Sequence, residues 1–292
     1  MAPVKAQLAA GHIPGRIAAR FDQLRKQGRG ALIPFLEAYD PDLATSLAIL
    51  RGMPAAGADL IEIGVPFTDP AADGPTIQRA GQRALKAGGS LSGALAMVRD
   101  FRTQDHDTPI VLMGYLNPIL AYGVERFCQD AEATGVDGLI VVDMPPEESD
   151  ELTPHMQGRT LDLIRLVAPT TDDARLPLVL HGAGGFVYYV AIAGITGTRS
   201  ATVDDLARAI PRIRAVTDLP IAIGFGVRTP EQASEAARIA DGAVVASALI
   251  ETLVKSLDAA GCATPGTVEQ VLEHVRELAQ AIRGNTHVEA AA

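Results

Sequence analysis

Residues 60–76 read LIEIGVPFTDPAADGPT, and this stretch contains one complete unit of the fold. The apolar run at 60–65 has the length of a buried strand, a polar loop with Asp69 and Asp73 follows it, and Pro75 marks the start of a helix. Glu62 lies inside the apolar run, where a carboxylate loses its hydration. The position is unfavourable unless the carboxylate has a task, and chemistry is one such task.

Outward from this stretch, short apolar runs alternate with longer segments of helical periodicity. The eight strand candidates are residues 31–36, 60–65, 109–113, 138–142, 162–167, 186–192, 221–224 and 243–246. The helical segments between them include residues 43–56, 91–101, 124–134, 203–216, 231–239 and 250–259. Strands separated by helical crossovers pair in parallel, because a parallel neighbour needs a long return connection.

Eight such units favour the α/β class and a closed (β/α)8 TIM barrel. The competing fold, a doubly wound open sheet, usually has a glycine-rich dinucleotide turn after its first strand, whereas this chain has Glu37-Ala38-Tyr39-Asp40-Pro41 there. Periodic apolar residues at 17–27 predict an extra N-terminal helix, and residues 267–282 predict a C-terminal one. Less regular segments at 145–157, 170–177 and 196–202 lie on the side where strands run out into loops. The predicted fold also includes additional loop helices.

Composition and length predict one domain and limit the function. The 292 residues are 48% hydrophobic, enough for a single TIM-barrel domain over 1–292, with the barrel proper at about 31–260 and a C-terminal helix and flexible tail at 261–292. A net charge of -10 argues against binding to a nucleic-acid backbone. Neither a membrane span nor a signal peptide is evident, so we expect a cytoplasmic protein. Cys128 and Cys262 are interpreted as ordinary thiols.

Two acids are expected to meet at the catalytic mouth of the barrel. Glu62 falls in the second strand and Asp73 in the loop after it, and loops that follow barrel strands share one face. We expect the apolar surroundings to raise the pKa of Glu62, while Asp73 in a polar loop stays ionised. Such a pair suits acid and base work. The alternative is structural: a glutamate satisfied by a buried hydrogen bond, and an aspartate that caps the helix near Pro75.

A second set of residues predicts a phosphate site on the same rim. Gly224-Phe225-Gly226 ends the seventh strand, Ala246 and Ser247 end the eighth, and Gly194-Ile195-Thr196-Gly197 follows the sixth. Loops at these positions, together with a helix N-terminus, present backbone N–H groups to an anion. The alternative is that these glycines only permit tight turns.

Absent residue patterns narrow the chemistry further. None of the four lysines, Lys5, Lys26, Lys86 and Lys255, lies in a strand candidate, so a Schiff-base nucleophile is not evident. The six histidines show no metal-ligand spacing, and we expect no metal site. If a carbon–carbon bond breaks here, the substrate itself is the electron sink and carboxylates move the protons.

The run from Glu62 to Gln78 resembles, almost residue for residue, a signature of the tryptophan synthase alpha subunit family, and the likeness extends from Ile33 to Ser247. The supporting matches are Pro34-Phe35, Asp40-Pro41, Tyr115, Asn117-Pro118, residues 142–145, residues 186–189, residues 194–197 and residues 224–226. The resemblance implies metal-free retro-aldol cleavage of indole-3-glycerol phosphate to indole and glyceraldehyde 3-phosphate, a lyase reaction of tryptophan biosynthesis.

The resemblance also implies a role for each matching residue. Glu62 is expected to donate and accept the proton, and Asp73 to hold the indole N–H. The expected pocket residues are Phe35, Tyr115 and Tyr188, and Thr196 is expected in a mobile loop that closes over the site. The expected phosphate contacts are Gly197, Phe225, Gly226, Ala246 and Ser247.

Members of this family pair with a beta subunit that carries pyridoxal phosphate and consumes the indole. The resemblance thus implies an alpha2-beta2 heterotetramer and no cofactor in this chain, with Asp69, Pro70 and Asn117 at the contact. The chain departs from the family pattern at Glu37, Tyr39 and Ala246. Two alternatives stay open: a catalytically weak alpha-like subunit that mainly activates a beta subunit, or another phosphosugar barrel isomerase.

Overall fold

The computed structural model describes residues 13–191, 203–224 and 226–284, and in these residues the strands form a parallel barrel. The strands are β1 Ala31–Glu37, β2 Ile61–Gly64, β3 Ile110–Gly114, β4 Gly138–Val141, β5 Asp162–Leu163, β6 Arg165–Val167, β7 Val187–Val190, β8 Ile221–Gly224 and β9 Gly242–Val245. Their order is β5-β4-β3-β2-β1-β9-β8-β7-β6. The predicted TIM barrel is confirmed.

The predicted fifth strand, residues 162–167, is divided into two short strands in the structure. Its first part, β5, pairs with β4, and its second part, β6, pairs with β7. Ile164 lies between them and its backbone N–H donates to Leu139 at 2.9 Å. The barrel therefore closes through Ile164, and nine strands occupy eight positions.

The helices surround the barrel. They are α1 Arg16–Lys26, α2 Leu43–Ala56, α3 Pro75–Lys86, α4 Leu91–Phe101, α5 Leu116–Tyr122, α6 Val124–Thr134, α7 Thr153–Met156, α8 Leu176–Val179, α9 Val203–Arg214, α10 Pro230–Ile239, α11 Ser247–Ser256 and α12 Thr267–Gly284. Residues 146–151 add a 3₁₀ turn, and α5, α7 and α8 are loop helices. Helix α11 begins at Ser247, three residues before the predicted start. Of the helices the structure describes, none has the length and apolar character needed to cross a bilayer.

Helix α1 closes the end of the barrel at which the strands begin. Its buried residues Ile17, Phe21 and Leu24 join the core inside the barrel. The ring centroids of Phe21 and Phe186 are 5.8 Å apart. The amphipathic face of α1 thus packs on the inner layer of strand residues and leaves the opposite end open for the site.

Aspartates tie the strands together at this closed end. Asp59 accepts a hydrogen bond from the N–H of Leu32 at 2.9 Å, Asp137 from that of Ile110 at 2.8 Å, and Asp241 from that of Ile221 at 2.8 Å. Asp137 and Asp241 directly precede a strand and Asp59 lies two residues before one, so each satisfies a donor that the neighbouring strand leaves free.

An arginine neutralises each of these aspartates. The ion pairs are Arg29–Asp59 at 2.8 Å, Arg102–Asp137 at 2.7 Å and Arg214–Asp241 at 3.0 Å. Arg16 of α1 adds a second partner for Asp137 at 2.7 Å. Asp59 and Asp137 are almost fully buried, so an unpaired carboxylate at either position would strongly destabilise the fold. The ion pairs offset this desolvation cost.

Candidate active site

Glu62 lies on the inner face of β2, toward the open end of the barrel. It pairs in register with Phe35 of β1 and Val111 of β3, and it is 1% exposed. Its Oε2 atom has no hydrogen-bond partner in the part of the chain that the structure describes. Burial, followed by the negative charge of Asp73, raises the pKa of Glu62 to about 8. The side chain is therefore a neutral acid near pH 7, and the alternative of a buried carboxylate satisfied by hydrogen bonds loses support.

Asp73 lies in the loop between β2 and α3, close enough to Glu62 to influence its charge. It does not cap α3, because the N-cap residue is Gly74 and makes no side-chain cap hydrogen bond. Asp73 is 9% exposed, and its burial raises its pKa to about 6, against a hydrogen bond from Tyr115 that lowers it. The loop is less polar than we expected, yet Asp73 still ionises at lower pH than Glu62.

Tyr115, at the end of the third strand, holds the Asp73 loop in place. Its hydroxyl oxygen accepts a hydrogen bond from the Ala72 N–H at 3.0 Å, and its hydroxyl donates to the Asp73 carboxylate. Gln78 of α3 adds a hydrogen bond to the Asp73 carbonyl oxygen at 3.0 Å. Sequence reasoning assigned Tyr115 only to the pocket. It missed the bond to the loop because Ala72 and Tyr115 are 43 positions apart and no local pattern links them.

Phe35 and Tyr188 are almost fully buried, and each one lies against a glycine in a strand. A Cβ built on Gly64 would lie 2.5 Å from the ring of Phe35, and one built on Gly224 would overlap the hydroxyl of Tyr188. Burial, then the charge of Glu62, raises the pKa of Tyr188 well above its ordinary value. Tyr188 and Glu62 thus share one environment. The glycines at strand ends signal these close approaches in the sequence.

The rim after β8 and β9 brings the described phosphate candidates near one another. The two strands are neighbours in register, so the turn with Gly226 and the segment Ala246–Ser247 leave adjacent strand ends. Ser247 begins α11, and the N–H groups in the first turn of a helix point out of its N-terminal end. Ala246 has a φ of -116°, which an alanine adopts without strain. Gly226 has a φ of +83°, which fits both a phosphate-binding loop and the alternative that this glycine only permits a tight turn. Thr196, Gly197 and Phe225 lie outside the described residues.

Glu37 at the end of β1 and Tyr39 in the turn after it are two of the three residues that depart from the family pattern. Glu37 is 5% exposed, and Asp40 accepts two hydrogen bonds from Arg83, both at 2.7 Å. Tyr39 has a φ of +70°, and its ring lies against Gly93: a Cβ on Gly93 would lie 2.7 Å from its hydroxyl oxygen. The bulky ring at position 39 therefore depends on glycine at position 93.

The three predicted partner-contact residues lie on the open side of the barrel. Asp69 and Asn117 are exposed and Pro70 is half-buried. They belong to the loop after β2 and to α5, which Asp143 anchors by accepting the Leu116 N–H at 2.8 Å.

In residues 13–191, 203–224 and 226–284, no group of three or more His, Cys, Asp or Glu side chains is arranged to hold a metal ion.

Comparisons with known proteins agree with this architecture. The profile of the family described as "Tryptophan synthase alpha chain" matches residues 21–283. The tryptophan synthase alpha chain of Acidiphilium cryptum is 65% identical over 92% of this chain and 98% of its own, and that of Granulibacter bethesdensis is 66% identical over 92% and 96%. The crystal structure of tryptophan synthase subunit alpha from Legionella pneumophila superposes with a TM-score of 0.84 at 36% identity, covering 93% of this chain and 100% of that one. Matches of this extent establish membership, and the chain belongs to the tryptophan synthase alpha chain family.

Proposed function

We propose that this chain cleaves indole-3-glycerol phosphate to indole and glyceraldehyde 3-phosphate, a carbon–carbon lyase reaction. One observation supports this most strongly: a neutral acid at Glu62 and a more readily ionised acid at Asp73 face the same end of the barrel. A retro-aldol cleavage of an indole needs both, since one group must deliver a proton while another stabilises positive charge on the ring nitrogen.

In the proposed mechanism, Glu62 gives its proton to C3 of the indole ring and leaves an indoleninium cation. Asp73, hydrogen-bonded by Tyr115, accepts the ring N–H and stabilises the positive charge. The bond between C3 and the side chain then breaks, and its electron pair moves into the ring. Ionised Glu62 takes the proton of the side-chain hydroxyl, which becomes the aldehyde. Glu62 thereby regains its proton, and the reaction balances without a metal or an imine.

The rest of the site would bind the two ends of the substrate. Phe35, Tyr115 and Tyr188 surround the acids with aromatic surface suited to indole. Backbone N–H groups at Gly226, Ala246 and Ser247 would hold the phosphate, since the N-terminus of α11 carries partial positive charge. The proposal also assigns Thr196, Gly197 and Phe225 to substrate and phosphate contacts, although these residues lie outside the described part of the chain.

The proposal includes a partner and a place in the cell. A beta subunit with its own pyridoxal phosphate would consume the indole in an alpha2-beta2 heterotetramer, and this chain would need no cofactor. Exposed Asp69 and Asn117, with Pro70, would contact that subunit. An enzyme of amino-acid biosynthesis is expected in the cytoplasm.

Indole release from indole-3-glycerol phosphate tests the proposal. Glu62→Gln and Asp73→Asn should each lower kcat on the order of 10²-fold or more, because each removes a group required in the transition state. Glu269→Gln on the exposed face of α12 is the matched control and should keep full activity. A Glu62→Gln variant with unchanged kcat would refute the mechanism. The chain is an activating subunit instead if wild type releases no indole and if wild type and Glu62→Gln stimulate a beta subunit equally.

A further inference from the structure

Glu37 is an acid at the barrel mouth for which the proposed mechanism has no task. It is the last residue of β1, two positions after Phe35, so its side chain points to the same inner face. It pairs in register with Gly64, two positions after Glu62 on the neighbouring strand. With 5% exposure, its carboxyl group belongs to the same buried environment as the reacting acids.

Two glycines make room for the carboxyl group of Glu37. A Cβ built on Gly64 of β2 would overlap its Oε2 atom, and a Cβ built on Gly81 of α3 would lie 3.7 Å from its Oε1 atom. The carboxyl group thus lies between β2 and the middle of α3. Because α3 begins at Pro75, directly after Asp73 and Gly74, Glu37 packs against the helix that follows the loop of Asp73.

The charges around Glu37 favour its neutral form. Burial, then the negative charges of Asp73 and Asp40, raise the pKa of Glu37 well above its ordinary value, and Arg83 lowers it. Arg83 already donates two hydrogen bonds to Asp40, so its cation is engaged there. Two nearby carboxyl groups do not ionise together readily, and the more deeply buried one keeps the proton.

We propose that Glu37 is a positioning residue for the cleavage: its carboxyl group, held between Gly64 and Gly81, supports the helix that follows the Asp73 loop, and as the more deeply buried acid it leaves the negative charge on Asp73. This inference rests on the proposed function, in which Asp73 must be an anion opposite the indole N–H. A charge at position 37 would draw a proton onto Asp73 and remove the stabilisation of the indoleninium cation. A smaller residue there would remove the contact with α3 at Gly81 and loosen the helix that follows the Asp73 loop.

Two variants separate the two parts of this role. Glu37→Ala empties the space between the glycines, and it should lower kcat at least about tenfold with little change in KM, because misplacing Asp73 matters most in the transition state. Glu37→Gln is neutral and of equal size, and it should restore kcat to within about threefold of wild type. Thermal unfolding of each variant, measured in parallel, corrects for any loss of folded protein.

A titration that needs no turnover tests the contact with Asp73. The side-chain carboxyl carbons of ¹³C-labelled glutamates are followed by NMR over pH, and the Glu37 signal is identified by its absence in Glu37→Gln. In Asp73→Asn, Glu37 should titrate at lower pH than in wild type, because a negative charge that raises its pKa is gone. Asp162→Asn is the control: it removes a buried acid at the closed end of the barrel and should change neither this titration nor kcat.

The outcomes are distinct. The proposal is overturned if Glu37→Ala keeps kcat within twofold, if Glu37→Gln is as impaired as Glu37→Ala, or if Glu37 titrates identically in wild type and Asp73→Asn. If wild type releases no indole even with a beta subunit, the proposed function fails, while the NMR titration still reports whether Glu37 and Asp73 interact.

Discussion

At the scale of single residues, the property that suits Glu62 to proton transfer also weakens the fold. Its pKa is about 8 in the folded chain against an ordinary value of 4.5, so the folded state keeps a proton that the unfolded state loses between these values. Stability therefore falls as the pH rises through this window, and the loss is complete above pH 8.

Replacing this acid should consequently stabilise the protein at high pH. At about pH 9, Glu62→Gln should raise the free energy of unfolding on the order of 5 kcal/mol above wild type, and near pH 4.5 the gain should almost vanish. Urea unfolding of both proteins at the two pH values measures the difference. Glu269→Gln should show no such dependence on pH, and an equal gain for Glu62→Gln at both pH values would contradict this origin of the pKa.

The two acids should also give the reaction a bell-shaped pH profile. The proposed mechanism needs Asp73 ionised and Glu62 protonated, so kcat/KM, which reports the substrate-free enzyme, should rise through pH about 6 and fall through pH about 8. Initial rates of indole release over this range give both limbs. In Asp73→Asn the alkaline limb of the remaining activity should move to lower pH, because the charge that helps to raise the pKa of Glu62 is absent. A flat profile would exclude both assignments.

A property of a site residue can be predicted from the sequence when it depends on neighbouring residues in the chain, and not when it depends on distant ones. Glu62 stands out because a carboxylate inside an apolar run is visible in six letters, and Asp73 follows in the next loop. The pKa of Asp73 depends instead on burial and on Tyr115, which come from other parts of the chain. The roles of the site residues stay predictions until the variants are measured.

At the scale of elements, the loop that carries Asp73 is held by the strand next to it. Tyr115→Phe removes the hydroxyl that satisfies the Ala72 N–H and donates to Asp73. Since that bond lowers the pKa of Asp73 in the substrate-free chain, its loss should move the acid limb of kcat/KM to higher pH by about one unit. Tyr122→Phe is the matched control, because it removes a tyrosine hydroxyl bonded at 2.6 Å to Asp130 on a neighbouring helix. If both variants keep the acid limb of wild type, Tyr115 does not tune Asp73.

Elements were predictable where periodicity marks them and less so at their ends. Helices α2, α4 and α6 have the predicted bounds, since their apolar spacing begins and ends with the helix. Helix α11 follows β9 with one residue between them, and apolar residues continue across the junction, so the pattern does not show where the strand stops. The division of residues 162–167 arises from pairing with two different neighbours, which six residues alone do not encode.

At the scale of the whole molecule, the closed end of the barrel should support stability while the open end supports the reaction. Asp137→Ala would leave Arg102, itself 8% exposed, without its buried counter-charge and the Ile110 N–H without an acceptor. The free energy of unfolding should fall by about 3–5 kcal/mol, measured with urea. The kcat of the folded variant should match wild type.

The matched control is an exposed ion pair on α1. In the pair of Asp22 and Arg25 both side chains are more than half exposed, so Asp22→Ala should change stability by less than about 1 kcal/mol. Equal losses for Asp137→Ala and Asp22→Ala would show that the network at the closed end does not stabilise the fold.

The barrel as a whole was predictable because eight alternating units leave few other arrangements. The aspartates at its closed end were not, since each joins strands through partners far away in the sequence; Arg16 and Asp137 are 121 positions apart. Only the closed ring of strands brings such partners together. The limits of the domain, drawn from composition and length, stay a prediction.

The seat of α1 beneath the strands sets an order for assembly on the ribosome. The helix is translated early, yet Asp137 emerges 121 residues after Arg16, a delay of roughly 6–24 s at ordinary elongation rates. Phe186, which Phe21 contacts, emerges later still. Until then the helix can meet only the early part of the apolar cluster that covers it, such as Ile33 and Leu60, and the later part, such as Phe186, is missing. We therefore expect α1 to reach its final packing only after β7 has been translated, although it precedes every barrel strand in the sequence.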